Sequence, residues 1–293
     1  MPAYDLNGKI ALITGAARGI GFETARQLHL RGASVAVVDL DAEEARAAAE
    51  RIGPRALGIA ADVTDQGALE RAVAETVERF GGLDVAVANA GMAQSKLATI
   101  RGIGGEEWER VFAVDMLGVW RTVRAALPQI VERRGHVVVV SSVYAFVNGV
   151  LNSPYAVAKS GVESLGRALR AELTPLGASA GVAYFGWVDT KLVQDAMDQP
   201  HAGGLKGNLP GFLSTQITPD EAGAALVRGI EERAPSIFAP KRWRYLSALR
   251  GILNPYFDRR MAKENAGFVE MVRAVESEAD EPGAAAVASA RAR

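Results

Sequence analysis

Tyr155 and Lys159 stand four residues apart in Tyr155-Ala156-Val157-Ala158-Lys159, a spacing that sets a phenol and an ammonium on one face of a helix. A tyrosine is a poor acid or base at neutral pH, because its reference pKa is about 10. A neighbouring cation stabilises the phenolate and draws that value toward the working range, so the pair is a candidate for proton exchange with an alcohol or carbonyl oxygen. Ser142, at the end of the preceding β-branched run, adds a hydroxyl that can hold the same oxygen. Such a pair is common on helices, so its weight depends on its surroundings.

A second group lies near the N-terminus. Thr14-Gly15-Ala16-Ala17-Arg18-Gly19-Ile20-Gly21 follows a short apolar run and leads into an amphipathic stretch. Glycines let a backbone turn tightly and approach a pyrophosphate, while the start of the following helix offers oriented N–H donors. The spacing, T-G-x-x-x-G-x-G, differs from the G-x-G-x-x-G of many dinucleotide sites. About 20 residues further on, Asp39 ends the second β-branched run, where a carboxylate can accept hydrogen bonds from ribose hydroxyls. A 2′-phosphate would meet like charge there, and no basic residue follows in Leu40-Asp41, so NAD(H) is expected rather than NADP(H). Arg18 is the one nearby cation that could greet a phosphate, and Asp39 has a second possible role as the N-cap of a helix over Ala42–Ile52.

These groups need a scaffold. Ile10–Thr14, Ser34–Asp39, Ala56–Ala61, Val85–Asn89, Val137–Ser141, Ala180–Phe185 and Ser236–Ala239 read as buried strands. Gly21–Leu30, Ala42–Ile52, Gly67–Phe80 and Glu107–Glu132 carry helical spacing between them. This alternation predicts an α/β doubly wound, mostly parallel sheet with helices on both faces, because each parallel connection must cross over the sheet. The 293 residues, 49% of them hydrophobic, suffice for one large domain over 1–240. A helical extension is expected over 241–281 and a disordered Ala/Arg-rich tail over 282–293.

Composition removes several alternatives. Cysteine is absent and the three histidines are scattered, which excludes thiolate chemistry and disfavours a metal site. The net charge of −1 offers no general attraction for nucleic acid. No leader or membrane-length apolar run is apparent, so the expectation is a cytoplasmic protein.

Taken together, Thr14–Gly21, Asp62-Val63, Asn89-Ala90-Gly91, Ser142, Tyr155/Lys159 and Gly186-Trp187-Val188-Asp189-Thr190 resemble the short-chain dehydrogenase/reductase family in order and spacing, over roughly residues 5–240. The resemblance implies a seven-stranded Rossmann-like sheet and a homodimer or homotetramer. It places Gly15, Arg18, Gly19, Ile20 and Gly21 at the cofactor, Asp62 and Val63 at adenine, and Asn89 and Gly91 on the central strand beside the dinucleotide. Val188 and Thr190 would hold the carboxamide, Lys159 would also bind the nicotinamide ribose, and Tyr155 would be a cofactor-binding residue as well.

Two positions depart from the family pattern. Asp115 stands where the family usually has a catalytic asparagine, keeping an acceptor oxygen but exchanging an N–H₂ donor for a charge. Phe185 stands where a proline usually precedes Gly186. Residues 191–215, which include Met197, Leu205 and Phe212, correspond to a substrate lid and suit an apolar ligand. Lys241 to Phe257 is basic and aromatic; it reads as a helix packed over the cleft or a neighbouring subunit in preference to a membrane-surface helix, because Pro255 would interrupt it. The expected activity is hydride transfer between NAD(H) and a hydrophobic secondary alcohol or ketone. The alternatives are an NAD-binding regulatory or structural protein with impaired turnover, or a sugar-nucleotide epimerase using the same Tyr/Lys pair.

Overall fold

The strand-helix alternation folds into one seven-stranded sheet in the order β3-β2-β1-β4-β5-β6-β7. The computed structural model describes residues 4–199, 215–262 and 269–277. The strands are β1 (Ile10–Thr14), β2 (Ser34–Asp39), β3 (Ala56–Ala60), β4 (Val85–Ala88), β5 (His136–Ser142), β6 (Ser179–Phe185) and β7 (Ser236–Ala239), and every neighbouring pair is parallel. Expected strand ends shift by a single residue. β5, for example, begins at His136 because its register with β6 starts at His136 opposite Ser179.

Helices cover both faces because every strand between β1 and β7 buries apolar side chains above and below the sheet. One face carries α1 (Gly19–Leu30), α2 (Ala42–Ile52) and, later in the chain, α8 (Pro219–Glu231), packed through Leu28, Ala48 and Leu226 onto Ile13, Val35 and Val138. The other carries α3 (Gln66–Phe80), α5 (Val119–Glu132) and α6 (Ser153–Leu173), packed through Leu69, Ile130 and Val162 onto Leu12, Ala86 and Val139. The remaining α-helices among the described residues are α4 (Gly105–Phe112), α7 (Lys191–Met197) and α9 (Trp243–Ala262), with a further helical stretch at 269–277. The chain order reverses between β1 and β4, so their C-terminal ends diverge into a crevice.

Two expectations change. The single helix foreseen over Glu107–Glu132 is α4 and α5 joined by a π-helical turn, Ala113–Gly118, whose i→i+5 bonds widen the helix at Asp115. Pro255 does not interrupt α9, which runs through it. The N–H that proline lacks would have met the carbonyl of Gly251, an exposed residue that water can reach. The expected lid is helical over Lys191–Met197, while 200–214, with Leu205 and Phe212, lies outside the described residues, as does the tail 282–293.

Candidate active site

The glycine loop lies at the C-terminal end of β1. Gly15 and Gly19 adopt φ of +62° and +59°, where a side chain would be strained. A Cβ on Gly15 would fall 2.8 Å from Ala90 Cα, and one on Gly21 would fall 2.3 Å from the Gly15 carbonyl oxygen. Asn89 locks this packing by donating from Nδ2 to the Thr14 and Gly15 carbonyls at 2.9 and 3.0 Å. No side chain caps α1, since its N-cap Arg18 turns outward to Glu44 at 3.3 Å, so the first N–H groups of the helix are left for a ligand.

Asp39 braces the same loop, accepting from Ala17 N at 2.9 Å and from Leu40 N at 2.8 Å. It is not the N-cap of α2. That role falls to Asp41, which accepts from Glu43 N and Glu44 N and is the residue directly preceding the helix.

A cleft of about 540 Å³ runs along the strand ends. Gly15, Arg18, Gly19, Ile20, Asp39, Asp62, Val63, Asn89 and Gly91 line one part, and Ser142, Tyr155, Lys159, Val188 and Thr190 another. Gly21 and Asp115 do not reach it. Gly21 stands behind the loop, and Asp115 behind Lys159. The backbone without side chains, the uncapped helix start and the acidic rim at Asp39 together fit the pyrophosphate and ribose of a dinucleotide.

Tyr155 and Lys159 occupy the first turns of α6, which opens with Pro154 in a position that needs no N–H. The Lys159 Nζ lies 5.3 Å from the Tyr155 ring centre, 3.3 Å from the Val140 carbonyl and 3.5 Å from Asp115 Oδ2. Ser142 accepts from Tyr144 N at 3.2 Å and donates to the Phe185 carbonyl at 3.4 Å, and it lines the cleft together with Tyr155. Asp115, fully buried, accepts from Met92 N at 2.7 Å through its other oxygen. The π-helical turn is what carries this carboxylate to the back of the ammonium.

Charge and burial compete here. Burial pushes the Tyr155 phenol above its usual range, with Lys159 pulling down and Asp115 pushing up. The expected pull of Lys159 is therefore present but outweighed in the chain by itself. Burial also raises the Asp115 carboxyl, against the pull of Lys159. Burial opposes the Lys159 ammonium, yet Asp115 and Tyr155 outweigh it and hold its pKa above the usual value.

A family model described as short chain dehydrogenase matches residues 9–201. This chain belongs to the short-chain dehydrogenase family. Within it, the chain is 37% identical over 186 residues to sorbitol dehydrogenase of Cereibacter sphaeroides, covering 63% of this chain and 72% of that protein. It is 32% identical over 247 residues to an uncharacterized NAD-dependent oxidoreductase of Mycobacterium tuberculosis, covering 76% and 89%. Among solved structures, 3-ketoacyl-(acyl-carrier-protein) reductase from Brucella melitensis complexed with NADH superposes with a TM-score of 0.71 at 27% identity, covering 80% of this chain and 97% of that one. The chain is thus an oxidoreductase of a family that uses nicotinamide cofactors.

For a short-chain dehydrogenase, the loop after β6 is built in an unusual way. Phe185, in place of proline, is buried in the core with Val140 and Val188. Gly186 beside it is covered by Trp243, the first residue of α9; a Cβ on Gly186 would fall 2.3 Å from the indole Nε1. Ring packing from both sides therefore takes over the stiffening that a proline would give. Nothing in the local sequence announces the Trp243 contact, because its two partners are 57 positions apart. A lone tryptophan between arginines was the only sign.

Proposed function

We propose that the chain transfers a hydride between NAD(H) and the carbinol carbon of a hydrophobic secondary alcohol or the matching ketone, with Tyr155 as the acid-base group. The convergence of Ser142, Tyr155 and Lys159 on one wall of the dinucleotide-shaped cleft carries this reading. When bound, the nicotinamide would supply or accept the hydride. Tyr155 Oη takes the alcohol proton during oxidation and returns it to the ketone oxygen during reduction. Ser142 Oγ holds that oxygen, and the Lys159 ammonium stabilises the phenolate. Gly15, Gly19, Ile20 and the start of α1 would cradle the pyrophosphate, with Gly21 and Asn89 holding the loop in shape. Asp62 and Val63 would flank adenine, Gly91 the middle of the dinucleotide, and Val188 and Thr190 the carboxamide. Met92, Val114, Leu192 and Val193 line the cleft beside these groups and give it an apolar character that suits a hydrophobic alcohol or ketone.

NAD(H) is favoured because Asp39 faces the cleft at the ribose end and the guanidinium of Arg18 is turned toward Glu44. NADH is expected to bind about 10- to 100-fold more tightly than NADPH, the range for a hydrogen bond to a charged group. Because Asp39 also braces Ala17, Asp39→Ala is expected to weaken both and to narrow their ratio. Isothermal titration with the two cofactors measures it, and equal affinities in the unmodified chain would remove Asp39 from this role. NADH oxidation against a panel of apolar ketones, with NAD⁺ reduction by the matching alcohols, tests the reaction itself. Cofactor binding without turnover on any of them would favour the regulatory alternative.

Asp115 sets the pH at which the phenolate forms. Its charge opposes the phenolate, so Asp115→Asn is expected to lower the apparent pKa of Tyr155. Alcohol oxidation needs the phenolate, so its rising limb moves to lower pH, by on the order of one unit. NAD⁺ affinity is expected to stay constant, since Asp115 does not reach the cleft. Superimposable pH–rate limbs, or an upward shift, would show that Asp115 carries no charge felt by Tyr155.

A further inference from the structure

The helix α9 carries large side chains on two faces, and among the described residues only the inner face has a partner. Its inner face is spoken for. Trp243 is 1% exposed, Leu246 packs on the core, Arg250 forms a two-pronged ion pair with Glu163 at 2.8 and 2.9 Å, and Asn254 donates to the Phe146 carbonyl at 3.0 Å. On the opposite side Tyr245, Leu249, Ile252 and Tyr256 recur at intervals of four, three and four residues, which stacks them in one stripe. They are 72%, 51%, 75% and 58% exposed. The stripe has tyrosines at its ends and aliphatic side chains between, over about 16 Å of helix.

Charge around the stripe is one-sided. Residues 241–260 hold six basic residues and one acid, in a chain whose net charge is −1. Lys241, Arg244 and Arg259 are exposed along its rim. The single acid, Asp258, is engaged by Asn148 Nδ2 at 3.2 Å.

We propose that this outer face of α9 is a docking surface for an anionic phospholipid bilayer, on which the helix lies in the plane of the headgroups. Apolar side chains enter the acyl boundary, tyrosine hydroxyls remain among the headgroups, and the basic rim meets lipid phosphates. No helix among the described residues is long and apolar enough to cross a membrane, so the contact is peripheral. A second copy of the chain fits less well. An antiparallel two-fold contact through the stripe brings the basic rim of one helix against the basic rim of the other. An acidic protein satisfies the charge but not the four large apolar side chains at the centre of the face. The inner face packs on Glu163 and Phe146 rather than over the cleft, and the membrane contact is proposed for the outer one.

Co-sedimentation of the full chain with vesicles tests this directly. Binding is expected to vesicles of phosphatidylcholine mixed with phosphatidylglycerol, to weaken as salt is raised, and to be absent from phosphatidylcholine alone. Each of Lys241→Gln, Arg244→Gln and Arg259→Gln is expected to weaken it about fivefold. Ile252→Ser with Tyr256→Ser is expected to weaken it about tenfold or more. Thermal melting and NADH titration of the variants, expected to be unchanged, show that the fold survives. No binding to the anionic vesicles, equal binding to neutral ones, or full binding by the double variant would overturn the proposal. So would a loss of native oligomer mass in the double variant without vesicle binding, which assigns the face to a subunit contact. Retention on poly-glutamate as tight as on the vesicles would assign it to an acidic protein.

Discussion

Tyr155→Phe is expected to lower turnover in both directions by about 10²- to 10⁴-fold, the contribution of one positioned acid-base group. The phenylalanine ring keeps the edge-to-face contact with Tyr144, whose ring centre is 5.7 Å away, and loses only the hydroxyl. NADH affinity should therefore stay within about twofold, because the lost oxygen acts on the substrate. Steady-state kinetics with one ketone and the matching alcohol, together with an NADH titration, separates the two effects. Turnover within tenfold of the unmodified chain would take the proton from Tyr155 and give it to another group. A parallel loss of NADH binding would instead place the phenol in the cofactor site.

The second large effect is expected at Gly21, a residue that touches no ligand in this reading. Gly21→Ala places a methyl group 2.3 Å from the Gly15 carbonyl, 2.7 Å from Asn89 Nδ2 and 2.9 Å from Ala16 Cα. Two of these neighbours are backbone atoms that cannot rotate away. Relief means pushing the loop off β4 and breaking both Asn89 hydrogen bonds, so a stability loss of about 3 kcal/mol or more is expected. That is a large share of the 5–15 kcal/mol typical of folded domains. Denaturant titration with and without NADH measures it. Gly105→Ala provides the control, since a Cβ there meets nothing within 4 Å. Equal stability of the two variants would show that the loop is softer than its packing implies.

Much of the scaffold can be read in the residues because it is repetitive. β1, β2, β4, β5 and β6 are short apolar runs buried along almost their whole length, so the sheet follows from pattern. The site is legible for a different reason. The glycines, Asp39, Asn89 and the Tyr155/Lys159 pair sit at fixed points relative to strand ends, and the fold brings every strand end to one crevice. Gly21 and Asp115 stand behind the wall of the cleft, Gly21 against the Gly15 carbonyl and Asp115 against the Lys159 ammonium. Proximity in a motif does not say which side of a backbone a residue occupies.

What could not be read depends on geometry that leaves no periodic trace. The π-helical turn at Ala113–Gly118 adds less than one residue to a helical repeat, too little to disturb an apolar pattern. Asp41, not Asp39, caps α2 because a cap requires extended backbone at the residue before the first turn, and two aspartates two positions apart look alike in sequence. The balance of burial against the Lys159 charge at Tyr155 depends on how tightly the walls close, which the residue types alone do not give.

Trp243 ties the extension to the loop after β6 by filling the space that any side chain at position 186 would need. The helix that carries the outer stripe is therefore not an appendage that can be trimmed at residue 240 without opening a hole beneath that loop. Its indole lies at one end and its exposed stripe along the far side. Thermodynamic reciprocity then applies: if contact on the stripe changes how firmly the loop grips its ligand, the ligand must change the strength of that contact by the same factor.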